Sequence, residues 1–140
     1  MAYWLFQGNP KYYRVLDAIR EFNQMPWLVT RYAKVIAVGD GVLVWISGEK
    51  SGIYALAEVI EPPQVLEKIP DLKYWADPSR SSGKVQAVIR FTEKLLVNPL
   101  LRSELTKDPV LKSLLVIRAP NATNFKVINE EWKRVLELRI

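Results

Sequence analysis

Residues 39–59 read GDGVLVWISGEKSGIYALAEV, and the fold is decided by how this stretch is read. Two apolar runs, Val42–Ser47 and Ile53–Ile60, are rich in β-branched and aromatic residues and are separated by Gly48-Glu49-Lys50-Ser51-Gly52. Glycine turns the chain where positive φ is needed, so the pattern predicts an antiparallel hairpin. Val42, Val44 and Ile46 alternate with Leu43 and Trp45. Both faces of this strand are therefore apolar, as expected at the centre of a sheet or barrel and not at its edge. The same period of two places Trp45 and Ser47 on one face, followed by the bare backbone of Gly48. These three can form a pocket wall; they can equally be plain core.

On the N-terminal side, Tyr3–Gln7 reads as a strand, Gly8-Asn9-Pro10 as a turn, and Lys11–Phe22 as a helix with an apolar stripe of Val15, Leu16, Ile19 and Phe22. Pro26 marks its exit into a short extended piece, Trp27–Thr30, on which Trp27 and Val29 share a face. On the C-terminal side, Pro62 and Pro63 stop the second hairpin strand. Gln64–Tyr74 connects, residues 75–83 are loop, and Lys84–Leu96 is a long strand. Short helices follow at Leu100–Thr106 and Pro109–Leu115, the second capped by Asp108. Val116–Arg118 is extended, Ala119–Asn124 turn-rich, and a last helix begins after Asn129. About six strands interleave with helices, without a repeat or a βαβ rhythm. The expected class is α+β: a mixed or antiparallel, barrel-like sheet flanked by helices, with residues 1–140 as a single domain.

Composition narrows the chemistry. There is no cysteine and no histidine, which removes disulfides, Cys or His metal sites, Cys nucleophiles and Ser-His-Asp arrangements. No metal or cofactor is expected, and the chain is read as a binding protein, not an enzyme. Twenty Lys and Arg against fifteen Asp and Glu leave a net charge of +5, which favours an anionic partner, nucleic acid first. No apolar run approaches the roughly 20 residues of a membrane span. The opening residues lack the pattern of a signal peptide, so a cytoplasmic location and no membrane partner are expected. No oligomeric state is implied.

Four stretches, in order, carry a family resemblance: YWLFQGNP (3–10), PWLVTRY (26–32), the hairpin 39–59, and VIRAPNATNF (116–125). Together they span nearly the whole chain and resemble an EVE domain, of the PUA-like superfamily. The resemblance implies a pseudo-β-barrel with surrounding helices. It also implies kinship to YTH domains, which bind N6-methyladenine in RNA through an aromatic cage. Related EVE domains are associated with modified bases in DNA or RNA. The implied function is recognition of a modified base, methylation first, flipped into an aromatic pocket.

Carried over residue by residue, the resemblance places Trp27 and Val29, Trp45, Ser47 and Gly48, Asn9, and Thr123 with Asn124 at the base-binding pocket. Trp75 is a candidate second cage wall. Arg31, Lys34, Arg80 and Arg118 are candidate phosphate contacts. Each has a plainer reading: Trp27 and Trp45 as core, Asn9 as a turn residue, Arg118 as a solvated strand end. Residues Asn121-Ala122 stand where the family often has Gln-Gly. Two other functions compete: a general RNA-binding or interaction module without base selectivity, and a small hydrolase drawing on Glu49, Lys50 or Glu58.

Overall fold

The computed structural model describes the chain except for Lys68, Ser82 and Ile140. The loop readings at positions 68 and 82 therefore lie outside the described residues. Seven strands form one mixed sheet: β1 Tyr3–Gly8, β2 Gln24–Leu28, β3 Gly41–Ile46, β4 Gly52–Val65, β5 Val85–Lys94, β6 Leu100–Leu101 and β7 Asn124–Val127. The order is β2-β5-β4-β3-β1-β7, with β6 on β4. β1 and β3 run parallel, and the other pairs are antiparallel. The helices are α1 Val15–Glu21, α2 Arg102–Leu105, α3 Leu115–Arg118 and α4 Asn129–Leu138.

The hairpin is central, as its two apolar faces require. Leu43 pairs with Leu56 and Val44 with Ala55, and a register shift follows between Val44 and Trp45. Gly48, at φ 113°, makes the turn. Alternation then sorts the core into two. Trp4, Phe6, Val42, Val44 and Ile46 join Ile19, Trp27, Ala87 and Ile89 on one side. Leu5, Leu43 and Trp45 join Leu56, Leu105, Leu111 and Val135 on the other. Each large apolar side chain so buried contributes about 1.5–3 kcal/mol.

Several elements depart from expectation. The first helix starts at Val15 and not at Lys11. The Asn9 carbonyl accepts from the N–H groups of Tyr12 and Tyr13, both at 3.0 Å, and its side-chain Oδ1 accepts from Lys11 N–H at 2.9 Å. This turn, with a β-bridge between Tyr13 and Trp75, takes the first helical turn for itself. Pro26 lies inside β2 and does not end an element; β2 is an edge strand, where a missing N–H is tolerated. Residues 116–118 are helical, the Leu114 carbonyl accepting from Ile117 and Arg118. β7 was not expected at all.

The sheet is not closed: β2 and β7 are its two ends. One side chain spans the gap between them. Asn124 is fully buried (0 % exposed). Its Oδ1 accepts from Thr30 N–H at 2.8 Å and Arg31 N–H at 3.4 Å, while its Nδ2 donates to Leu28 O at 3.1 Å. The amide does for one residue what a strand ladder would do for several. Among the described residues no helix is long and apolar enough to cross a membrane.

Candidate functional site

A cavity of about 530 Å³ opens beside this gap, within the size range of small-molecule sites. Its wall is built from the end of β1, the 9–13 turn, β2, the 71–80 segment and the 120–123 loop. Gly8 sets the depth of one corner: a Cβ there would lie 2.7 Å from Val15 Cγ2 and 3.2 Å from the Trp27 ring. Trp27 packs at that corner, and its indole N–H donates to Gln7 O at 3.4 Å. Gln7 Nε2 donates to the carbonyls of Pro120 and Ala122, at 2.9 and 2.7 Å, and so ties the 120–123 loop to β1. At position 122 it is the main-chain carbonyl that makes the tie.

The opposite wall is pinned to the 9–13 turn through the main chain. Arg14 N–H donates to Tyr74 O at 2.8 Å and Ala76 N–H to Tyr12 O at 2.9 Å, on either side of the Tyr13–Trp75 bridge. Tyr13 is the hub. Its ring meets the Trp75 indole with centroids 4.7 Å apart, and its hydroxyl donates to Asp71 Oδ2 at 2.6 Å. Burial pushes the Tyr13 hydroxyl far above the usual phenol range, reinforced by the adjacent Asp71 charge. Burial also pushes the Asp71 carboxyl up, against the opposing pull of the Tyr13 hydroxyl and of its own backbone N–H. Two polar atoms of this wall, Asp71 Oδ1 and Trp75 Nε1, are buried without a hydrogen-bond partner. At the rim, the Arg80 guanidinium sits 4.0 Å from the centre of the Tyr12 ring.

Of the residues expected at a pocket, Asn9, Trp27, Ser47, Trp75 and Thr123 line this cavity, and of the four expected phosphate contacts Arg80 does. Trp45 does not. It is 2 % exposed and packs on the other side of the sheet with Leu43 and Leu56. The expected shared face of Trp45 and Ser47 fails because β3 ends at Ile46. Ser47 leaves the strand and turns to Gly8, with both its N–H and its hydroxyl donating to Gly8 O. Val29 is buried in the same core as Trp27, its N–H bonded to Val85 O. Gly48 serves the hairpin turn, and Asn124 spends its amide on the β2–β7 gap; neither lines the cavity. Arg31, Lys34 and Arg118 are exposed and lie outside its lining. Glu49, Lys50 and Glu58 are also outside it, so the groups considered for hydrolysis do not converge there.

Sequence reasoning missed Tyr12, Tyr13 and Asp71. The available signal was weak: two aromatics directly after the Asn-Pro turn, and an acid four residues before Trp75 in a loop. Nothing in a linear pattern shows that these two segments meet. Among the described residues no group of three or more carboxylates is placed to hold a metal ion.

The EVE domain family model matches residues 2–138. The chain is an EVE domain. No curated protein matches this EVE domain by sequence. Its fold is shared with solved structures at low identity. A hypothetical protein from Leishmania major is 19 % identical, with a TM-score of 0.72 over 99 % of this chain and 94 % of the other. The human THYN1 protein, in complex with DNA containing 5-methylcytosine, is 15 % identical, with a TM-score of 0.71 over 99 % and 98 %. The YTH domain of Zygosaccharomyces rouxii MRB1 protein, in complex with N6-methyladenosine RNA, is 10 % identical, with a TM-score of 0.63 over 99 % and 86 %. The α+β, PUA-like architecture expected from the sequence is thus the one observed, as an open sheet and not a closed barrel.

Proposed function

We propose that this EVE domain binds nucleic acid and takes one base, unpaired or flipped out of a duplex and carrying a modification such as a methyl group, into the cavity beside Trp27 and Trp75. The observation that carries this reading is the wall itself: two indoles and a tyrosine pair around one recess of about 530 Å³. The folds of the THYN1–DNA and YTH–RNA complexes support it, as does the positive net charge.

The energetics are consistent. Extruding a base costs a few kcal/mol, and stacking on an aromatic side chain returns about 1–3 kcal/mol. A methyl group adds only about 0.8 kcal/mol by burial, so discrimination of about 10–200-fold is what pocket shape can supply. Arg80 at the rim, with Arg31, Lys34 and Arg118 farther out, would hold phosphates and fix register without reading sequence. The cavity is open and not filled by side chains, which favours base capture over a module that binds by surface charge alone.

The test is a binding panel of DNA and RNA oligonucleotides with a single modified or unmodified base. Trp27 is buried in the first core, so Trp27→Ala would cost about 3–5 kcal/mol of stability and confuse the result. Trp75→Ala is the cleaner variant. It should weaken the preferred modified oligonucleotide by about 5–100-fold, the scale of one lost stack, while the fold persists. Equal affinity of wild type and Trp75→Ala for every oligonucleotide would overturn the reading.

A further inference from the structure

Three tyrosines each carry two cations on the ring, and the three pairs differ in what neutralises them. At Tyr74 the cations are Arg14, 5.8 Å from the ring centre, and Lys73, at 5.1 Å. Both are spent in ion pairs, Arg14 with Asp17 at 2.8 Å and Lys73 with Glu21 at 2.7 Å. At Tyr12 they are Lys11, at 5.5 Å, and Arg80, at 4.0 Å. At Tyr32 they are Arg31, at 5.3 Å, and Lys126, at 5.2 Å. These last four residues are exposed, and among the described residues none of them has a carboxylate within ion-pair distance. Asp77 is close enough to feel the Arg80 charge, yet its carboxylate accepts from the Ser79 N–H and hydroxyl, at 3.1 and 2.7 Å. Two like charges gathered on one ring repel each other, and an anion relieves that repulsion.

Both unneutralised pairs adjoin the cavity, on different segments of its wall. Tyr12 and Arg80 belong to the lining. The Tyr32 pair begins where the lining ends. Leu28 and Thr123 line the cavity, and Asn124, next in the chain, bonds Leu28 O and the N–H groups of Thr30 and Arg31. Lys126 lies two residues on along β7 and shares the face of Asn124. Its Cα is at most about 11 Å from that of Thr123. Tyr32 is firmly placed. Its ring rests on buried Trp4, with centroids 5.1 Å apart, and its carbonyl accepts from the N–H groups of Val35 and Ile36, at 2.9 and 3.0 Å. Among the described residues it alone has positive φ without being glycine, at 64°, a conformation that a bulky side chain adopts at a cost. Resting on the base-binding reading above, we propose that the Tyr12 and Tyr32 sites hold the phosphates on the two sides of the captured nucleotide. Lys11 and Arg80 take one side, Arg31 and Lys126 the other. The ligand is then an internal nucleotide of a continuous strand, and not a free nucleoside or a strand end. Cations already laid on a ring lose less freedom when a phosphate arrives.

The probes are short single strands, abasic except for one central 5-methylcytosine or N6-methyladenine. A methylphosphonate removes the charge of one phosphate at a time. For wild type, neutralising the phosphate next to the base on either side should weaken binding about 3–10-fold at 0.1 M salt and flatten the salt slope by about 0.7, the effect of one lost contact. Lys11→Ala and Lys126→Ala should each do the same on the unaltered backbone. Both lysines are exposed, so the variants keep the fold. Each variant should then be indifferent to neutralisation on one side of the base, and the two variants to opposite sides. Lys107→Ala removes an exposed lysine beside Leu105 of the second core and should change neither affinity nor slope. If wild type binds the base-bearing strands no better than a wholly abasic one, the base-binding reading falls and this inference with it. If the base is preferred, three results overturn the inference alone: both variants indifferent to the same side, a salt slope that neither variant moves, or a free nucleoside that binds as tightly as the strand.

Discussion

Asp71 keeps one carboxylate oxygen on Tyr13 and the other without a partner, and its surroundings raise its pKa above the usual carboxylate range. Burial is the main cause and raises its pKa; the Tyr13 hydroxyl and the residue's own N–H act in the opposite direction. A carboxyl with a higher pKa folded than unfolded binds its proton more tightly in the folded state. Stability is therefore lost as pH rises from the ordinary carboxylate value through the raised one, and the loss is constant above it. Asp71→Asn cannot ionise and still accepts from Tyr13. It should melt above wild type at pH 7, with the gap closing as pH falls towards the ordinary carboxylate value. Thermal melts of the ligand-free proteins across that range check this, and a variant melting lower at pH 7 would make Asp71 structural. Tryptophans separate at the same scale. Trp27 and Trp45 look equivalent in sequence, yet opposite sides of one sheet give the first a cavity and the second none.

At the scale of elements, Asn124 joins the two ends of the sheet. Removing its amide strands the N–H groups of Thr30 and Arg31 and the carbonyl of Leu28. Asn124→Ala should destabilise the domain by about 2–4 kcal/mol and speed amide exchange at Thr30 and Arg31 far more than in β3. Unchanged exchange at those two amides would show that the strap does not hold the gap. The hairpin and β5 were legible in the sequence because their apolar alternation is long and lies inside single segments, but β4 does not stop at Pro62 and Pro63 and runs on to Val65. Asn124 was legible only as a motif member, and its structural use depends on β2, 96 residues away in its contact with Leu28. The short β7 and the helical turn at 116–118 were not legible, since four-residue elements carry too little periodicity. The Tyr13–Asp71–Trp75 wall was not legible either, because it forms where two loops meet and neither contains a pattern that predicts the meeting.

Across the whole molecule, the cavity and the positive charge are distributed differently, and this would separate two kinds of binding energy. Among the described residues the cavity lining holds one basic side chain, Arg80. Arg31 stands beside the Asn124 strap, where its guanidinium covers Tyr32 at 5.3 Å from the ring centre, and Lys126 contacts the same ring. Arg118 precedes the 120–123 loop in the chain. If these outer cations hold phosphates, their contribution comes from counterion release and depends on salt, with a slope of about −0.7 per contact on single strands and −0.9 on duplex. Two to four contacts give a log–log slope of roughly −1 to −4. A base in the cavity would be held by stacking, which salt screens little. Two classes of variant should then move different observables. Arg31→Ala and Arg80→Ala should each flatten the salt slope by about 0.7–0.9 and leave the ratio of modified to unmodified affinity unchanged. Trp75→Ala, which loses the stack, should weaken binding of the base about 5–100-fold and leave the slope unchanged. Titrations at four salt concentrations, with oligonucleotides and with the free nucleoside, measure both. A free nucleoside that binds with the same salt slope as the oligonucleotide would place the charge effect inside the cavity and remove Arg31 from the phosphate path.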